Sequence, residues 1–300
     1  MTDPQAHAAR SRGERPWHGP RRGSGFTLIE IMVSLTVLGL VLVAVFSTFF
    51  RSQSAGQTMT ASVNLRQGAR AAIQLLEREL RMAGSGWGRV QVEIWYDTAT
   101  DSIFAVRPGP GAGTCDSVTI VGGWDAMTTL SAAMPNSSSI LKVVSTTGFV
   151  QGDLCVVTNG QSAHLFQLTQ LNSSAGTLQH NPSSPYNPPG GVNLRAWPAG
   201  GYGVGSQVYK ISWVTYAVDS MGYGRPSLVR RALGGATQLV AYDISRFEVR
   251  YQMQDSTLTR APDDCSMIDE IIPVIWTLQA VPGRPARSDS VWAAVRPRTF

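Results

Sequence analysis

The chemistry this chain can do is concentrated in Arg21-Arg22-Gly23-Ser24-Gly25-Phe26-Thr27-Leu28-Ile29-Glu30. Gly25 carries no side chain, so a peptidase can hold the backbone extended there and reach the Gly25–Phe26 bond. Glu30 is a lone early carboxylate in a run that is otherwise almost wholly apolar as far as Phe50. A charged side chain inside a membrane helix costs on the order of 2.5–3.5 kcal/mol on insertion scales, so its presence implies a partner. Cleavage before Phe26 would create a cationic α-amino group about one helical turn away. In a low dielectric that amine would offset much of the desolvation of both charges, within one chain or between packed chains.

The elements around this site follow from the same stretch. At about 1.5 Å per residue, a helix from Phe26 to Phe50 spans roughly 37 Å, enough to cross a hydrocarbon core of about 30 Å. The arginines ahead of it, Arg10, Arg12, Arg15, Arg21 and Arg22 against Asp3 and Glu14, place residues 1–25 on the cytoplasmic side and the remainder outside. A cleaved secretory signal would have an apolar region of about 7–15 residues ending at a small-x-small site. This run is longer, and Gln53-Ser54-Ala55 is a poor substitute for such a site. An anchor with no further role leaves Gly25 and Glu30 unexplained.

G-F-T-L-I-E between a basic leader and a membrane-length apolar helix resembles the cleavage and methylation signal of type IV prepilins and type II secretion pseudopilins. The resemblance implies that Gly25 is the last leader residue, Phe26 the methylated N-terminus and Glu30 the assembly carboxylate. It implies as partners a prepilin peptidase, other major and minor pilins and an inner-membrane assembly platform. No cofactor is implied.

Beyond the membrane run, apolar residues recur at Leu65, Ala69, Ala72, Ile73, Leu76, Leu80 and Ala83, in steps of three and four that mark one helical face. Arg66, Arg70, Glu77, Arg78 and Arg81 occupy much of the rest, with Glu77 and Arg81 a favourable i,i+4 pair. Gly84 and Gly86 end the helix. The block Arg70-Ala71-Ala72-Ile73-Gln74-Leu75-Leu76-Glu77-Arg78-Glu79-Leu80-Arg81-Met82-Ala83-Gly84 resembles the R-x-A-x-x-L-L-x-R-x-L-R-x-A-G stretch of PilW-type minor pilins and, more loosely, of J-type minor pseudopilins. Glu79 stands where those families usually carry another acid.

The rest of the chain reads as β. With 30 glycines and 17 prolines, 43% hydrophobic residues and only 15% charged, it suits an extracytoplasmic β-rich domain. Strands are expected near Val90–Tyr96, Ile103–Val106 and Ser117–Val121. Further strands are expected near Ile140–Val144, Asp153–Thr158, Ala163–Leu171 and Thr177–His180, then Val208–Val218, Ser227–Leu233, Val240–Met253, Glu270–Val281 and Asp289–Val295. Thr147-Gly148-Phe149-Val150-Gln151-Gly152-Asp153 resembles the G-F-x-x-G-D turns of small β-barrel inserts. Pro273 should sit at an edge or bulge because it cannot donate to a ladder. The expected organisation is a leader, 1–25; a helix, 26–84, transmembrane over 26–50 and amphipathic over 51–84; and the first part of a β head, 85–137. A β insert, 138–182, a loop, 183–206, that is functional or mobile, and a C-terminal sheet, 207–300, complete it. The fold class is α+β and pilin-like: a long N-terminal helical spine with a mostly antiparallel β head.

Other chemistry finds little support. His7 and His18 lie in the leader, and His164 and His180 stand alone among β-forming residues. There is no P-loop, H-E-x-x-H, nucleophile elbow or dinucleotide fingerprint, so no enzyme is expected. Asp263, Asp264, Asp269 and Glu270, with Asp255, are the calcium candidates, although their spacing fits no EF-hand and a solvated acidic loop is the competing reading. Cys115, Cys155 and Cys265 match no metal or redox spacing; two of them can pair in an oxidising periplasm, or each can be a buried small residue. Trp95, Tyr96, Trp124, Tyr186 and Trp197 are either a binding surface or packing residues. The net charge of +5 is held largely by the leader, so a nucleic-acid reading from overall basicity fails and enters only for a DNA-uptake filament.

The sequence therefore reads as a minor type IV pilin of the PilW type. It would be a single-pass bacterial inner-membrane protein with a cytoplasmic N-terminus and periplasmic head, reaching the cell surface on assembly. The alternatives are a J-type minor pseudopilin of a type II secretion system, or a tip pilin for binding, adhesion or DNA uptake.

Overall fold

The computed structural model describes residues 25–96, 99–110, 115–182, 184–190, 192, 194–220, 224–279 and 287–297; the leader expected over 1–25 lies, but for Gly25, outside them. Helix α1 runs Leu28–Arg81. The strands that follow are β1 Val92–Tyr96, β2 Ala99–Ile103, β3 Val106–Pro110, β4 Asp116–Thr129, β5 Leu141–Lys142, β6 Leu154–Thr158, β7 Ala163–Gln167, β8 Gln170–Asn172 and β9 Thr177–Gln179. After the 183–206 loop come β10 Gln207–Asp219, β11 Ser227–Ala232, β12 Thr237–Tyr242, β13 Ile244–Met253, β14 Leu258–Thr259, β15 Ile268–Gln279 and β16 Arg287–Trp292. The protein is α+β: one long N-terminal helix, apolar in its first half, followed by mostly antiparallel sheet. It divides into two compact units, the second comprising residues 58–300.

Within this second unit the helix forms because one face is apolar at helical spacing. Ala69, Ala72, Ile73, Leu76, Leu80 and Ala83 are all buried, against Val118 and Ile120 of β4, Val214 and Tyr216 of β10, Phe247 and Val249 of β13 and Ile271 and Ile275 of β15. Two sheets share this one core. The α-helix stops at Arg81; Gly84 then turns at φ +70, and its N–H donates to the Val121 carbonyl at 2.9 Å. Gly86 lies so close to the Tyr209 ring that a Cβ there would meet it at 2.8 Å.

β10 organises the main sheet. One edge of it pairs along almost its whole length with β4, which carries β3 beyond it. The other edge pairs with β11 and then β12 through its C-terminal half, and with β6 through its N-terminal half. β6 leads to β7, β1 and β2, with β1–β7 parallel and the other pairs antiparallel. Of the strands between 138 and 182, β6 and β7 thus belong to the main sheet, while β5, β9 and β8 form a small sheet of their own. The second sheet has the order β14-β13-β15-β16.

Two ion-pair clusters hold the layers together. Glu79, buried on the apolar face of α1, accepts a hydrogen bond from the Tyr216 hydroxyl at 2.8 Å and from Arg230 Nε at 3.0 Å, tying the helix to β10 and β11. Glu248, also buried, lies between Arg246 at 2.9 Å and Arg250 at 2.7 Å. Beside it, Asp116 at the start of β4 accepts from the Val249 N–H at 2.9 Å and from Arg260, joining one sheet to the other.

Several strand expectations meet a different arrangement. Ile103–Val106 spans the gap between β2 and β3, and Ala163–Leu171 divides into β7 and β8, which enter different sheets. The alternation over 240–253 does not belong to one strand. Asp243, at φ 56, breaks it into β12 and β13, which enter different sheets. Pro273 lies inside β15, between β13 and β16. Its carbonyl accepts from the Ala293 N–H, so its missing donor also faces Ala293, just past the end of β16 at Trp292. The named ladder to β16 stops at Val274–Trp292 and pairing resumes as the Ile271–Val295 bridge, so the proline sits in an interruption of the ladder and costs it one bond.

Removing one partner of a buried pair leaves the other charge desolvated. Glu79→Ala is therefore expected to destabilise the head by about 3 kcal/mol. Combining it with Arg230→Ala should cost less than the two single changes together. Denaturant unfolding of the detergent-solubilised chain, followed by tryptophan fluorescence, measures both; strict additivity would contradict the coupling.

Candidate functional site

Gly25, Phe26 and Thr27 precede the helix without regular structure, and α1 begins at Leu28. Thr27 caps it: its carbonyl accepts from the Glu30 and Ile31 N–H groups, and its hydroxyl accepts from Glu30 N–H at 3.3 Å. A Cβ on Gly25 would meet nothing within 4 Å. The Gly25–Phe26 bond therefore precedes the helix, in backbone that is not committed to helical hydrogen bonds. Glu30 sits in the first turn, where a carboxylate is favoured by the helix N-terminus. It is exposed, and among the described residues no basic side chain pairs with it.

Every residue from Gly25 to Gln57 is exposed in this unit, including Leu28, Ile29, Leu35, Leu40, Val43 and the Phe46–Phe50 pair. The hydroxyls within the run are returned to the helix backbone: Ser34 donates to the Glu30 carbonyl at 2.7 Å, Thr36 to Val33 at 2.8 Å and Thr48 to Ala44 at 2.9 Å. In lipid those groups would have no water, so internal bonding is what a spanning helix requires. Length and composition allow this helix to cross a membrane.

The head offers a second cluster that the sequence did not reveal. His164 on β7 is fully buried, with Nδ1 2.5 Å from the Tyr202 hydroxyl and Nε2 2.8 Å from the Arg195 carbonyl. A carbonyl can only accept, so Nε2 carries the proton and Nδ1 accepts from Tyr202. Trp197 packs on the imidazole with ring centres 4.7 Å apart. His180 is bound through Nε2 to the Ser137 carbonyl at 2.7 Å. Burial pushes both imidazoles below their ordinary pKa, and it pushes the Tyr202 phenol up. Asn187 does similar work: its side chain accepts from the Gln167 N–H and donates to the Gln167 and Asn181 carbonyls, each at 2.8 Å. The described part of the 183–206 loop is therefore fastened to β7 by polar side chains. A polar residue whose partners come from distant loops gives no local signal, which is why spacing could not find them.

The other candidates are scattered. Asp264 caps the short 3₁₀ turn Cys265–Met267, accepting from the Ser266 N–H and hydroxyl. Asp269 and Glu270 face Arg296 at 3.3 and 3.7 Å, and Asp263 is exposed. Among the described residues no three such groups are arranged to hold a metal. All three cysteines are free: Cys115 and Cys155 are buried and Cys265 half-buried, and burial raises the thiol pKa of Cys155 and Cys265. Of the aromatic residues, Tyr96 is exposed against Tyr186 at 5.4 Å, and Trp124 packs on the main core.

The family model of the prokaryotic N-terminal methylation motif matches residues 20–46, which contain Gly25, Phe26, Glu30 and the start of α1. Neither a curated protein nor a solved structure matches the chain. The chain thus carries a type IV pilin-like prepilin signal at its N-terminus, ahead of a helix able to enter a membrane.

His164 and His180 also set a pH dependence. Their folded pKa values lie below the ordinary 6.5, so above that pH both states are neutral and the stability is complete. As pH falls below it, the unfolded chain binds protons first and stability declines toward the lowered folded values. Thermal unfolding between pH 7.5 and 5 should show this decline, and changing both residues to glutamine should flatten it; an unchanged slope would exclude the histidines as its source.

Proposed function

We propose that this chain is a minor type IV pilin of the PilW type, acting by assembly and not by turnover. A prepilin peptidase cuts before Phe26 and the new N-terminal residue is methylated. Subunits anchored in the inner membrane, with the head periplasmic, are then extracted into a filament by the assembly platform, joining other pilins or priming their polymerisation. The observation that carries this reading is Glu30. It is a carboxylate in the first turn of α1, in a wholly exposed apolar stretch, without a basic partner among the described residues and inside the matched methylation motif. A lipid-embedded acid in that state needs a cation, and the amine released at Phe26, on its own or a neighbouring chain, is the nearest source.

The Arg70–Gly84 block also resembles J-type minor pseudopilins, where the same physics would serve a type II secretion piston. Co-isolation with pilus or with secretion subunits separates the two readings.

Neither Gly25 nor Glu30 supports the fold, so effects of changing them report on processing and assembly. Gly25→Val should leave the leader attached, read as the intact mass. Glu30→Ala should be cleaved normally but enter filaments on the order of tenfold less, the consequence of losing a pair worth more than about 1.4 kcal/mol. A wild-type chain that keeps its leader in cells with active peptidase, or a Glu30→Ala chain incorporated normally, would end this proposal.

A further inference from the structure

The outer face of α1 within the head is basic. Arg70 and Arg78 are exposed, and neither has an acidic partner among the described residues; Arg81 is bound to Glu77. Gln74, Glu77, Arg78, Arg81 and Met82 border a shallow hollow of about 330 Å³, with the part-exposed Leu75 on the same stretch of helix. Elsewhere on the head, the segment 255–267 carries the opposite character. Asp255, Asp263 and Asp264 are exposed and unpaired with any basic side chain among the described residues, and exposed Leu258 and Met267 lie among them. Hydrogen bonds from Thr257 and Ser266 hold the Asp255 and Asp264 carboxyls below the usual carboxylate range, so both are anionic at neutral pH. The single arginine of this segment, Arg260, is taken up by Asp116 at 2.5 Å.

We propose that the hollow on α1 is a docking surface for the 255–267 segment of a second copy of this chain, Asp263 and Asp264 meeting Arg78 and Arg70 around an apolar centre of Leu75, Leu258 and Met267. Each surface carries the charge the other lacks, and no salt bridge joins them within one copy. The two patches are distinct, so the contact is heterologous: every copy offers a free donor and a free acceptor, and the contact can propagate. This deepens the filament reading and rests on it for its setting, but it is read out separately. The charge pairs are near the surface, so salt screens them.

The chain has only two lysines, Lys142 and Lys210, which makes a carbodiimide coupling between lysine and carboxylate selective. The full-length chain carrying Arg70→Lys and Arg78→Lys is coupled in native membranes, and cross-linked peptides are identified by mass spectrometry. The expected result is an intermolecular link from position 70 or 78 to 255, 263 or 264. It should fall on the order of tenfold with Asp263→Asn and Asp264→Asn, as two surface pairs would give, and fall likewise in high salt. No such link, links only to other carboxylates, or yields indifferent to Asp263 and Asp264 would overturn the proposal. So would saturation of the Arg70–Arg78 face by duplex DNA or anionic vesicles in place of a second copy. The mass of the same samples reports leader removal. A processed chain without the link sinks this contact alone, whereas an unprocessed chain sinks the filament reading.

Discussion

A single helix that holds two of its acids, Glu79 and Glu30, under opposite conditions governs this protein. Glu79 lies on the buried face, in phase with Leu76, Leu80 and Ala83, and its charge is met by Arg230 and Tyr216. Burying a carboxylate without such partners would exceed what the neighbouring apolar contacts return, since a fully buried leucine contributes about 1.5–3 kcal/mol. The pair therefore fixes where along the helix the main sheet can sit. Glu30, on the same helix, has an exposed apolar surround and no basic partner among the described residues. One acid is satisfied by the fold, and the other is left for something outside it.

That contrast divides the chain. The head from Thr58 onward is explained by its own contacts: a helical stripe shared by two sheets, with Asp116 joining β4 to β13. The apolar run from Phe26 to Phe50 is not, because none of its side chains is buried. A surface of that composition is stable in lipid or against other chains, and its hydroxyls are already bonded inward.

Much of this was legible in the sequence, and the parts that were not share a cause. The helical face at 69–83 could be read because both the steps and the burial are properties of a single element. Individual strands such as β10 and β6 could be read from their β-branched and aromatic residues. Which sheet a strand joins could not. The alternation across 240–253 hides the break at Asp243, whose left-handed conformation is held by Arg225 on both nitrogens. Pro273 read as an edge or bulge residue because its own strand says nothing of where the neighbouring ladder is interrupted. Glu79 did leave a signal, an acid in the phase of a buried stripe; its partners, on β10 and β11, did not.

The candidate site divides in the same way. Gly25, Phe26 and Glu30 lie within six consecutive residues, so local pattern suffices to find them. His164, Tyr202 and Asn187 are brought together by the 183–206 loop folding over β7, with partners up to 38 residues apart. The loop's length and its prolines left it open whether the segment is functional or mobile. Polar side chains instead replace the ladder hydrogen bonds that an irregular backbone cannot make, Asn187 pairing with both the N–H and the carbonyl of Gln167 much as a neighbouring strand would. A loop secured by side chains in place of a ladder depends on their protonation state. His164, bonded to the Arg195 carbonyl and the Tyr202 hydroxyl, therefore also makes that fastening sensitive to acid.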